Sequence, residues 1–301
     1  MARYYLGVDG GGTNCRIRLA DADLNTLAEA AGGRSNLQIE GGEPAYRSIM
    51  EGTREVFAKA GIDYSETANT FACFGMAGGR MVSARQAFAR RPWPFAAVDV
   101  YDDIDIACAG AHGGGDGGVV IIGTGSAALA VVGKQRFQCG GWGFHIGDQM
   151  SGAILGRELA RYAVEAADGL VAASPLTEAV IVRLGGTLDA VMEWSFSDRK
   201  PADYAALIPL FFEHYEKGDA VAQKMMAIEF GYIDNYVAWF KARGVEKMAA
   251  VGGFGTRLYP MLVERYGDFI VPAMHEPLHG AVILARQNFD TSSPASNEFS
   301  R

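Results

Sequence analysis

The first stretch of the chain has a strand-like pattern on both sides of a run of glycines. Residues 4–8 are apolar and end at Asp9, three glycines follow, and the apolar residues 15, 17 and 19 then alternate with arginines. A period of two residues is typical of a strand and not of a helix. The pattern therefore predicts a strand, a tight glycine turn and a second strand, although a plain glycine-rich hairpin would look the same. A dinucleotide-binding fold would need a helix directly after the glycines.

The remainder of the first third alternates predicted helices with predicted strands. An apolar stripe at helical spacing predicts a helix over residues 43–61, a buried strand follows at 70–76, and a short helix over 83–91 ends before Pro92. A strand over 96–101 then leads into two aspartates and a helix of small residues. This alternation predicts an α/β architecture.

The opening pattern occurs again later in the chain. Apolar runs at residues 119–122 and 127–132 enclose the turn 123–126, and a third apolar strand at 248–251 ends in the glycine turn 252–255. Three glycine turns that each follow an apolar strand favour a nucleotide site over three separate accidents. The repetition predicts a duplicated fold, with two domains that face each other across a cleft.

We place the domain boundary at a glycine-rich link that begins at residue 113. The first domain comprises residues 1–112, joined by a C-terminal helix over about 279–290, and the second comprises 113–278 with a helical insertion. The polar, Ser-rich residues 291–301 predict a disordered tail. Within the second domain we expect helices over residues 153–168, 176–184, 201–215, 220–243 and 258–266, and a strand over 269–271.

Two loops carry candidate chemistry. The glycine-punctuated loop over residues 139–152 contains an aromatic ring, an imidazole and a carboxylate. We expect Asp148 to contact a ligand, and Trp142 and His145 to be structural. Asn36 follows an earlier glycine-containing loop, and for it the statistics of loops favour a helix cap over a ligand contact.

Composition and charge narrow the class of protein. The chain has 301 residues, of which 49% are hydrophobic, so it is long enough for about two domains with a sizeable core. Its net charge is −8 and it has no cluster of basic residues, so we expect neither a nucleic-acid nor a membrane partner. The four cysteines are far apart, and the sequence shows no signal peptide or membrane-spanning run. We therefore expect reduced thiols and a cytoplasmic protein.

A zinc pattern near the C-terminus is misleading. Residues 275–279 match HExxH by letter. That chemistry needs both imidazoles one turn apart on one helix, and Pro277 inside the span would break the helical ladder. Pro277 instead predicts the first turn of the last helix. The sequence also lacks the GxxxxGK(S/T) motif of P-loop nucleoside triphosphatases and the GxSxG motif of serine hydrolases.

Four motifs, taken in order, resemble those of a known superfamily. Residues 9–13, 123–126 and 252–255 resemble the phosphate-1, phosphate-2 and adenosine motifs of the actin/hexokinase/Hsp70 superfamily. The loop over 140–148 is similar to that of the branch which holds N-acetylglucosamine kinase, glucosamine kinase and the BadF/BadG/BcrA/BcrD ATPases. The resemblance covers the chain from residue 4 to about 289. It implies two RNase H-like (actin-like ATPase) domains of α/β class.

The resemblance also implies an activity and a set of roles. It implies an ATP-dependent kinase that acts on the 6-hydroxyl of an amino sugar, with ATP and Mg²⁺ as cofactors and a homodimeric assembly. Asp9 would position Mg²⁺, and Asp103 would be the general base, although Asp102 is its close neighbour. The residues implied in nucleotide binding are Gly10, Gly11, Gly12, Thr13, Asn14, Thr124, Gly125, Ser126, Gly252 and Gly253. Those implied in sugar binding are Asn36, Asp103, Thr124, Gly125 and Asp148, which replaces the capping interpretation of Asn36.

One departure from the family pattern bears on the substrate. The branch usually has a glutamate after the aspartate of the tryptophan loop, and this chain has Gln149. A carboxylate suits a free ammonium better than an amide does, so we favour N-acetylglucosamine over glucosamine.

Two other functions stay open. One is a BadF-type activator ATPase, whose relatives ligate an iron–sulfur cluster through cysteines at a dimer interface. The other is a non-catalytic sensor of sugar or nucleotide.

Overall fold

A computed structural model describes residues 3–12 and 14–289, so Thr13 and the predicted disordered tail lie outside the described residues. The strands are β1 (Tyr4–Gly10), β2 (Cys15–Ala20), β3 (Thr26–Gly32), β4 (Thr70–Met76), β5 (Ala97–Asp102), β6 (Gly117–Ile122), β7 (Ser126–Val132), β8 (Gln135–Gly140) and β9 (Met248–Val251). The α-helices are α1 (Glu43–Ala60), α2 (Val82–Ala89), α3 (Asp103–His112), α4 (Gly152–Ala167), α5 (Pro175–Arg183), α6 (Leu188–Phe196), α7 (Pro201–Ala205), α8 (Ile208–Glu216), α9 (Ala220–Lys241), α10 (Gly253–Tyr266) and α11 (Pro277–Phe289).

The first sheet has the strand order β3-β2-β1-β4-β5. β1 pairs antiparallel with β2, which confirms the predicted strand, turn and strand. β1 pairs in parallel with β4, and β4 in parallel with β5. The C-terminal ends of these three parallel strands therefore meet at one edge of the sheet, the edge at which ligands bind in open α/β sheets.

Helices cover both faces of this sheet because its central strands are apolar on both sides. Leu6 of β1 and Phe74 of β4 belong to a buried cluster under α1 and α2. Tyr5 and Cys73, the neighbouring positions, belong to a second cluster with α3 and α11. α1 ends at Gly61, whose left-handed conformation (φ 67°) closes the helix as a C-terminal glycine commonly does.

The last helix packs closely on α3 and β1 through glycines. A Cβ on Gly280 would lie 2.0 Å from the carbonyl oxygen of Ile106, and one on Gly7 would lie 2.9 Å from that of Leu278. These positions need glycine because the backbones approach too closely for any side chain. α11 begins at Pro277, as predicted.

The second sheet repeats the arrangement of the first. Its order is β8-β7-β6-β9, which matches β3-β2-β1-β4 strand for strand. This repetition confirms the predicted duplication. The helices α4 to α10 supply most of its core, in which Phe211 and Phe240 are fully buried.

Several predicted elements of the second half are wrong in detail. The helix predicted over 201–215 is two helices, α7 and α8, and Pro209 lies in the first turn of α8, where its missing N–H costs nothing. The strand predicted over 269–271 is a 3₁₀ turn (Gly267–Phe269) and one bridge between Met248 and Ile270. β8 and α6 were not predicted. α10 begins at Gly253, five residues before its predicted start.

The chain divides into two compact units. The first comprises the described residues up to Val119, residues 133–135 and the described residues from Pro272 onward. The second comprises residues 120–132 and 136–271. Among the described residues, no helix is both long enough and apolar enough to cross a bilayer.

Candidate active site

An ion pair fixes the carboxylate that ends β1. Asp9 lies opposite Arg16 in the antiparallel register, and Arg16 Nη2 lies 2.7 Å from Asp9 Oδ2. The other Arg16 nitrogen, Nη1, lies 2.5 Å from Glu276 Oε2. The sequence gives Asp9 no basic neighbour, so this partner was missed. The signal is the strand pairing itself, since a hairpin brings residues seven apart face to face.

The first glycine turn is held by a buried serine. The backbone N–H of Gly11 donates to the carbonyl of Asn14 (2.9 Å), and the hydroxyl of Ser35 donates to the carbonyl of Gly11 (2.9 Å). Gly10 is buried against β4, whereas Gly12 and Asn14 are exposed. Thr13, between them, lies outside the described residues. Ser35 was missed because it follows β3 and is far from the motif in sequence.

Three aspartates surround the start of α3. Asp102 is buried at the helix N-cap, and its backbone N–H donates to Asp105 Oδ2 (3.1 Å), which also lies 3.8 Å from Arg85. The Asp103 side chain, the third of these aspartates, is half-buried. Burial raises the pKa of the Asp103 carboxyl to about 7, and the negative charges of Asp102 and Asp9 add to the rise. Asp102 and Asp105 therefore serve the helix terminus, and Asp103 is the carboxyl placed to exchange a proton near neutral pH.

Asp9 and Asp103 belong to the same edge of the first sheet. Asp9 is the last but one residue of β1, and Asp103 directly follows β5. Because β4 lies between these strands, the two backbones are separated by at least two strand spacings, or about 10 Å. The charge of Asp9 acts on Asp103 at this separation. Like charges that are held close raise each other's cost of ionisation, and an enzyme can use that effect to prepare a base.

Asn36 does not cap a helix. α1 begins after Gly42, and the side chain of Asn36 instead accepts a hydrogen bond from the backbone N–H of Gln38 (Oδ1 to N, 2.8 Å). Its Oδ1 also lies 2.5 Å from the position that a Cβ on Gly78 would take. The capping interpretation is wrong, and within residues 3–12 and 14–289 nothing accepts a hydrogen bond from the side-chain amide nitrogen of Asn36.

The turn between β6 and β7 is tied to the start of α4. The N–H of Gly123 donates to the carbonyl of Gly125 (2.9 Å). The first N–H groups of α4, from Gly152 and Ala153, donate to the carbonyls of Gly123 (2.8 Å) and Thr124 (3.3 Å). Since these helix N–H groups would otherwise lack partners, the contact satisfies the helix and fixes the turn at once.

The two hydroxyls of this turn have different environments. Ser126 is 4% exposed, and its hydroxyl donates to the carbonyl of Gln149 (2.6 Å). Thr124 is exposed. The Ser126 side chain, predicted to bind nucleotide, therefore ties the turn to the following loop, and Thr124 carries the hydroxyl that faces solvent.

Asp148 is held in a strained conformation against the same turn. The backbone φ angles of Asp148 and Met150 are 60° and 61°, although neither residue is glycine. Burial raises the pKa of the Asp148 carboxyl, while the backbone N–H groups of Ser126 and Gly143 donate to it and oppose the rise. A Cβ on Gly125 would lie 2.9 Å from Asp148 Oδ2, so Gly125 makes room for this carboxylate. Left-handed non-glycine residues are typical of functional loops.

The third glycine turn begins α10. Gly252 has φ 90°, and a Cβ there would lie 2.6 Å from the carbonyl oxygen of Ile122. Gly253 is exposed, and no atom lies within 4 Å of where its Cβ would be. The positive φ and the nearby Ile122 carbonyl therefore require a glycine at position 252. At Gly253 there is open space beside the N-terminus of α10.

A cavity of about 370 Å³ joins the second and third turns within the second unit. Gly123, Thr124 and Gly253 line it, together with Phe212 and Arg257. The Arg257 guanidinium lies 4.7 Å from the centroid of the Phe212 ring. Sequence reasoning missed both side chains. Arg257 lies one helical turn after Gly253, so helical spacing could have identified it.

Comparison with known proteins agrees with this arrangement. A model of the BadF/BadG/BcrA/BcrD ATPase family matches residues 6–285. The chain is 29% identical to the glucosamine kinase GspK of Vibrio cholerae over 282 residues, which cover 94% of this chain and 95% of that relative. It is 26% identical to the N-acetyl-D-glucosamine kinase of Dictyostelium discoideum over 242 residues, or 74% of each chain.

A solved structure gives the same result for the fold. A protein assigned as an N-acetylglucosamine kinase from Chromobacterium violaceum is 31% identical and superposes with a TM-score of 0.80. The match covers 94% of this chain and 99% of that one. It confirms the predicted actin-like ATPase fold.

Proposed function

The chain belongs to the BadF/BadG/BcrA/BcrD ATPase family, and on that premise we propose that it transfers a phosphoryl group from ATP to the 6-hydroxyl of an amino sugar. The relatives it matches are named glucosamine kinase and N-acetylglucosamine kinase. N-acetylglucosamine is the first candidate acceptor and glucosamine the second, because Gln149 supplies an uncharged amide where a free ammonium would favour a carboxylate.

The observation that carries this proposal is the environment of Asp103. A sugar hydroxyl is a weak nucleophile, and a base that accepts its proton works best when its pKa lies near the working pH. Burial and two neighbouring carboxylates raise the pKa of Asp103 to about 7. Asp103 would accept the proton of the 6-hydroxyl as the oxygen attacks the terminal phosphorus of ATP, and ADP would leave with the bridging oxygen.

The second unit would bind the nucleotide. The cavity of about 370 Å³ combines backbone N–H groups at the N-terminus of α10 with the exposed hydroxyl of Thr124 and the rings of Phe212 and Phe254. Helix N-termini favour phosphates, and aromatic faces favour a purine. The guanidinium of Arg257 adds a positive charge at the same cavity.

Asp9 would hold Mg²⁺ through an oxygen that is still available. Arg16 contacts Oδ2 of Asp9, and no described residue donates a hydrogen bond to Oδ1. Mg²⁺ prefers oxygen ligands and usually binds one or two carboxylates, waters and the nucleotide phosphates. The ion would neutralise charge on the phosphates, and Arg16 would keep the Asp9 carboxylate oriented.

Asn36, Asp148 and the Thr124–Gly125 turn are the proposed sugar contacts. The amide nitrogen of Asn36 and the carboxylate of Asp148 can bind sugar hydroxyls as donor and acceptor. Asp148 is already ordered by backbone N–H groups, so it would need little rearrangement to accept a further bond. The homodimer and the cytoplasmic location stay predictions.

The cysteines give the activator ATPase no support. Cys15, Cys73 and Cys108 are buried, and burial raises the pKa of the Cys15 thiol to about 12. Within residues 3–12 and 14–289, no three His, Cys, Asp or Glu side chains are grouped as a metal site would require. Cys139 is half-buried. A cluster shared between copies would need several accessible thiolates, which the three buried positions do not offer.

The position of the transferred phosphate tests the proposal. Purified protein is incubated with ATP, Mg²⁺ and N-acetylglucosamine, and the product is analysed by two-dimensional ¹H–³¹P NMR. We expect the phosphorus to couple to the two protons on C6 of the sugar. A product phosphorylated on another carbon, or phosphate released from ATP with the sugar unchanged, would contradict it.

A further inference from the structure

A second cavity lies in the second unit, apart from the one that would bind nucleotide. Its volume is about 650 Å³, within the range of about 300–1,000 Å³ that small-molecule sites occupy. It lies between α4 and α9 and is bounded by the loop over residues 144–149. None of the residues that line it lines the nucleotide cavity.

The cavity is lined by a buried carboxyl, one of whose oxygens has no hydrogen-bond partner among the described residues. Glu229 of α9 lines it and is 4% exposed. Among the described residues, nothing forms a hydrogen bond with Glu229 Oε2. The lining combines apolar residues, such as Ile154, Leu155 and Met225, with polar ones, such as Tyr162 and Tyr232, and none of those described donates to Glu229 Oε2. An unpaired buried carboxyl is costly, so a group of this kind in a ligand-sized cavity indicates a missing donor.

The described basic side chains that line the cavity have other partners and do not pair with Glu229. Glu158 also lines the cavity, and its negative charge, added to the larger effect of burial, raises the pKa of Glu229 to about 7. The basic residues of α4 are already committed: Arg157 and Arg161 both pair with Glu158 (3.2 and 2.7 Å). Lys224 lies over the ring of Tyr162, 5.5 Å from its centroid, and not on Glu229.

We propose that the cavity between α4 and α9 is a binding site for a small organic ammonium ion, whose amine is held by the Glu229 carboxylate. An ammonium group supplies up to three donors and the charge that the buried carboxylate lacks. The apolar walls would accommodate the carbon skeleton. An anion is disfavoured because the Glu229 carboxylate would repel it, and a neutral alcohol would leave the charge of that carboxylate uncompensated.

The same cavity adjoins the loop that carries Asp148. Phe144, Gly147 and Gln149 line it, whereas the Asp148 carboxylate is turned toward Gly125 and the N–H groups of Ser126 and Gly143. A ligand in the cavity would therefore contact the opposite side of this loop from its proposed sugar-binding carboxylate. The site is thus a candidate effector site, although its existence does not depend on the proposed kinase activity.

Cyclohexylammonium chloride is a suitable probe, with cyclohexanol as its neutral counterpart. The ammonium probe has no hydroxyl to phosphorylate, so its binding is independent of whether the chain is a sugar kinase. Isothermal titration calorimetry on the full chain at pH 8 should give saturable 1:1 binding of cyclohexylammonium. Cyclohexanol should bind at least about tenfold more weakly, since a hydrogen bond between charged groups is lost.

Two variants locate the site. Glu229→Gln keeps the size of the side chain and removes its charge, and we expect it to weaken cyclohexylammonium binding by about tenfold or more. Glu165→Gln, on the rim of the same cavity, is the matched control and should change the affinity by less than about threefold, because its carboxylate is partly exposed and paired with Arg161.

The pH dependence gives a further readout. The folded protein holds the Glu229 pKa near 7, so below that pH the carboxyl is protonated and must lose a proton to bind a cation. Affinity should therefore fall from pH 8 to pH 6 in the wild type and stay nearly constant in Glu229→Gln. The other titratable or charged lining residues are His145, Arg157, Glu158, Arg161, Glu165 and Lys224, and their contributions cancel in that comparison.

Two results would overturn the proposal. One is equal affinity of the wild type for cyclohexylammonium and cyclohexanol, which needs no variant and so holds even if Glu229→Gln fails to fold. The other is cyclohexylammonium binding that is unchanged in Glu229→Gln. The proposal is also overturned if the wild type shows no saturable binding of cyclohexylammonium.

Discussion

The glycine turns after β1 and β6 lie at equivalent places in the two sheets. They differ in the number of carboxylates that surround them. The turn after β1 is surrounded by carboxylates: Asp9 at its start, and Asp102 and Asp103 at the end of a nearby strand. The turn after β6 has the exposed Thr124, and the carboxylate beside it, Asp148, accepts hydrogen bonds from the backbone N–H groups of Ser126 and Gly143. The first turn is therefore the more acidic of the two.

This difference suggests a division of labour. Carboxylates suit a metal ion and a proton, and they repel phosphate unless a cation intervenes. A less acidic turn beside the N-terminus of a helix, as the turn after β6 lies beside α10, suits phosphate better. We therefore expect changes in the first unit to affect catalysis and metal dependence, and changes in the second to affect nucleotide affinity. The following predictions test that separation.

The largest expected effect is the loss of the proposed base. Asp103→Asn should lower kcat by about 10²–10⁴-fold, the usual contribution of general base catalysis, and change the Kd for sugar only slightly. Steady-state kinetics gives kcat, and calorimetry gives the Kd. Asp268→Asn, on an exposed residue far from either turn in sequence, is the control and should behave as the wild type. An Asp103→Asn enzyme with normal turnover would show that another group accepts the proton.

The raised pKa of Asp103 predicts a pH dependence of both activity and stability. The base must be ionised, so kcat should fall about tenfold for each pH unit below 7. For stability, a carboxyl whose folded pKa is raised penalises the folded state once ionised. That penalty develops between the unfolded value, near 3.8, and about 7, and is complete above 7.

Thermal unfolding checks the second half of this prediction without any substrate. Asp103→Asn should unfold at a higher temperature than the wild type at pH 8, and the difference should shrink toward pH 4. The opposite trend, with the variant less stable at high pH, would mean that the Asp103 carboxylate is stabilised in the folded protein.

Neighbouring glycines of the third turn should separate structure from function in the second unit. Gly252→Ala places a Cβ 2.6 Å from the Ile122 carbonyl in a left-handed conformation, and should lower the free energy of unfolding by about 1–3 kcal/mol. Gly253→Ala has open space, so its stability should change little. Its KM for ATP should nevertheless rise, because the added methyl group lies at the nucleotide cavity. Denaturant unfolding and kinetics distinguish the two, and equal stability loss in both variants would contradict the structural role given to Gly252.

The smallest expected effect concerns Arg16. Arg16→Gln removes the ion pairs with Asp9 and Glu276, and we expect the concentration of Mg²⁺ needed for half-maximal activity to rise a few-fold because the Asp9 carboxylate is no longer oriented. Stability should change by less than about 1 kcal/mol, since Arg16 is partly exposed. Arg47→Gln, which breaks an exposed pair with Glu43 on α1, is the control and should leave the Mg²⁺ dependence unchanged. An unchanged Mg²⁺ requirement in Arg16→Gln would contradict the proposal that Asp9, oriented by Arg16, holds the metal.

Local periodicity was sufficient to predict much of the fold. The strand at 70–76, the helix at 43–61 and the repeated strand–turn–strand units are visible because each has a strong period and clear glycine or proline boundaries. β8 was missed because its residues alternate only weakly and precede a glycine-rich loop. The break between α7 and α8, before Pro209, was missed because one apolar stripe runs through both helices.

The site was predictable only where it is contiguous in sequence. The glycines and aspartates of the motifs were found because they follow strands directly. Ser35, Arg257 and the Asp9–Arg16 pair were missed because strand register and helical facing bring them to the motifs. The roles of Ser126 and Asn36 depend on hydrogen bonds that no sequence pattern specifies.

The most direct test of the central claim is the dependence of ADP release on the acceptor. The initial rate is measured for the purified chain with ATP and Mg²⁺, without sugar and with N-acetylglucosamine, glucosamine, N-acetylmannosamine or glucose. The account predicts a rate with N-acetylglucosamine or glucosamine that is at least about 100-fold above the rate without sugar, as exclusion of water and a positioned acceptor require. ADP release that is independent of every sugar would contradict it.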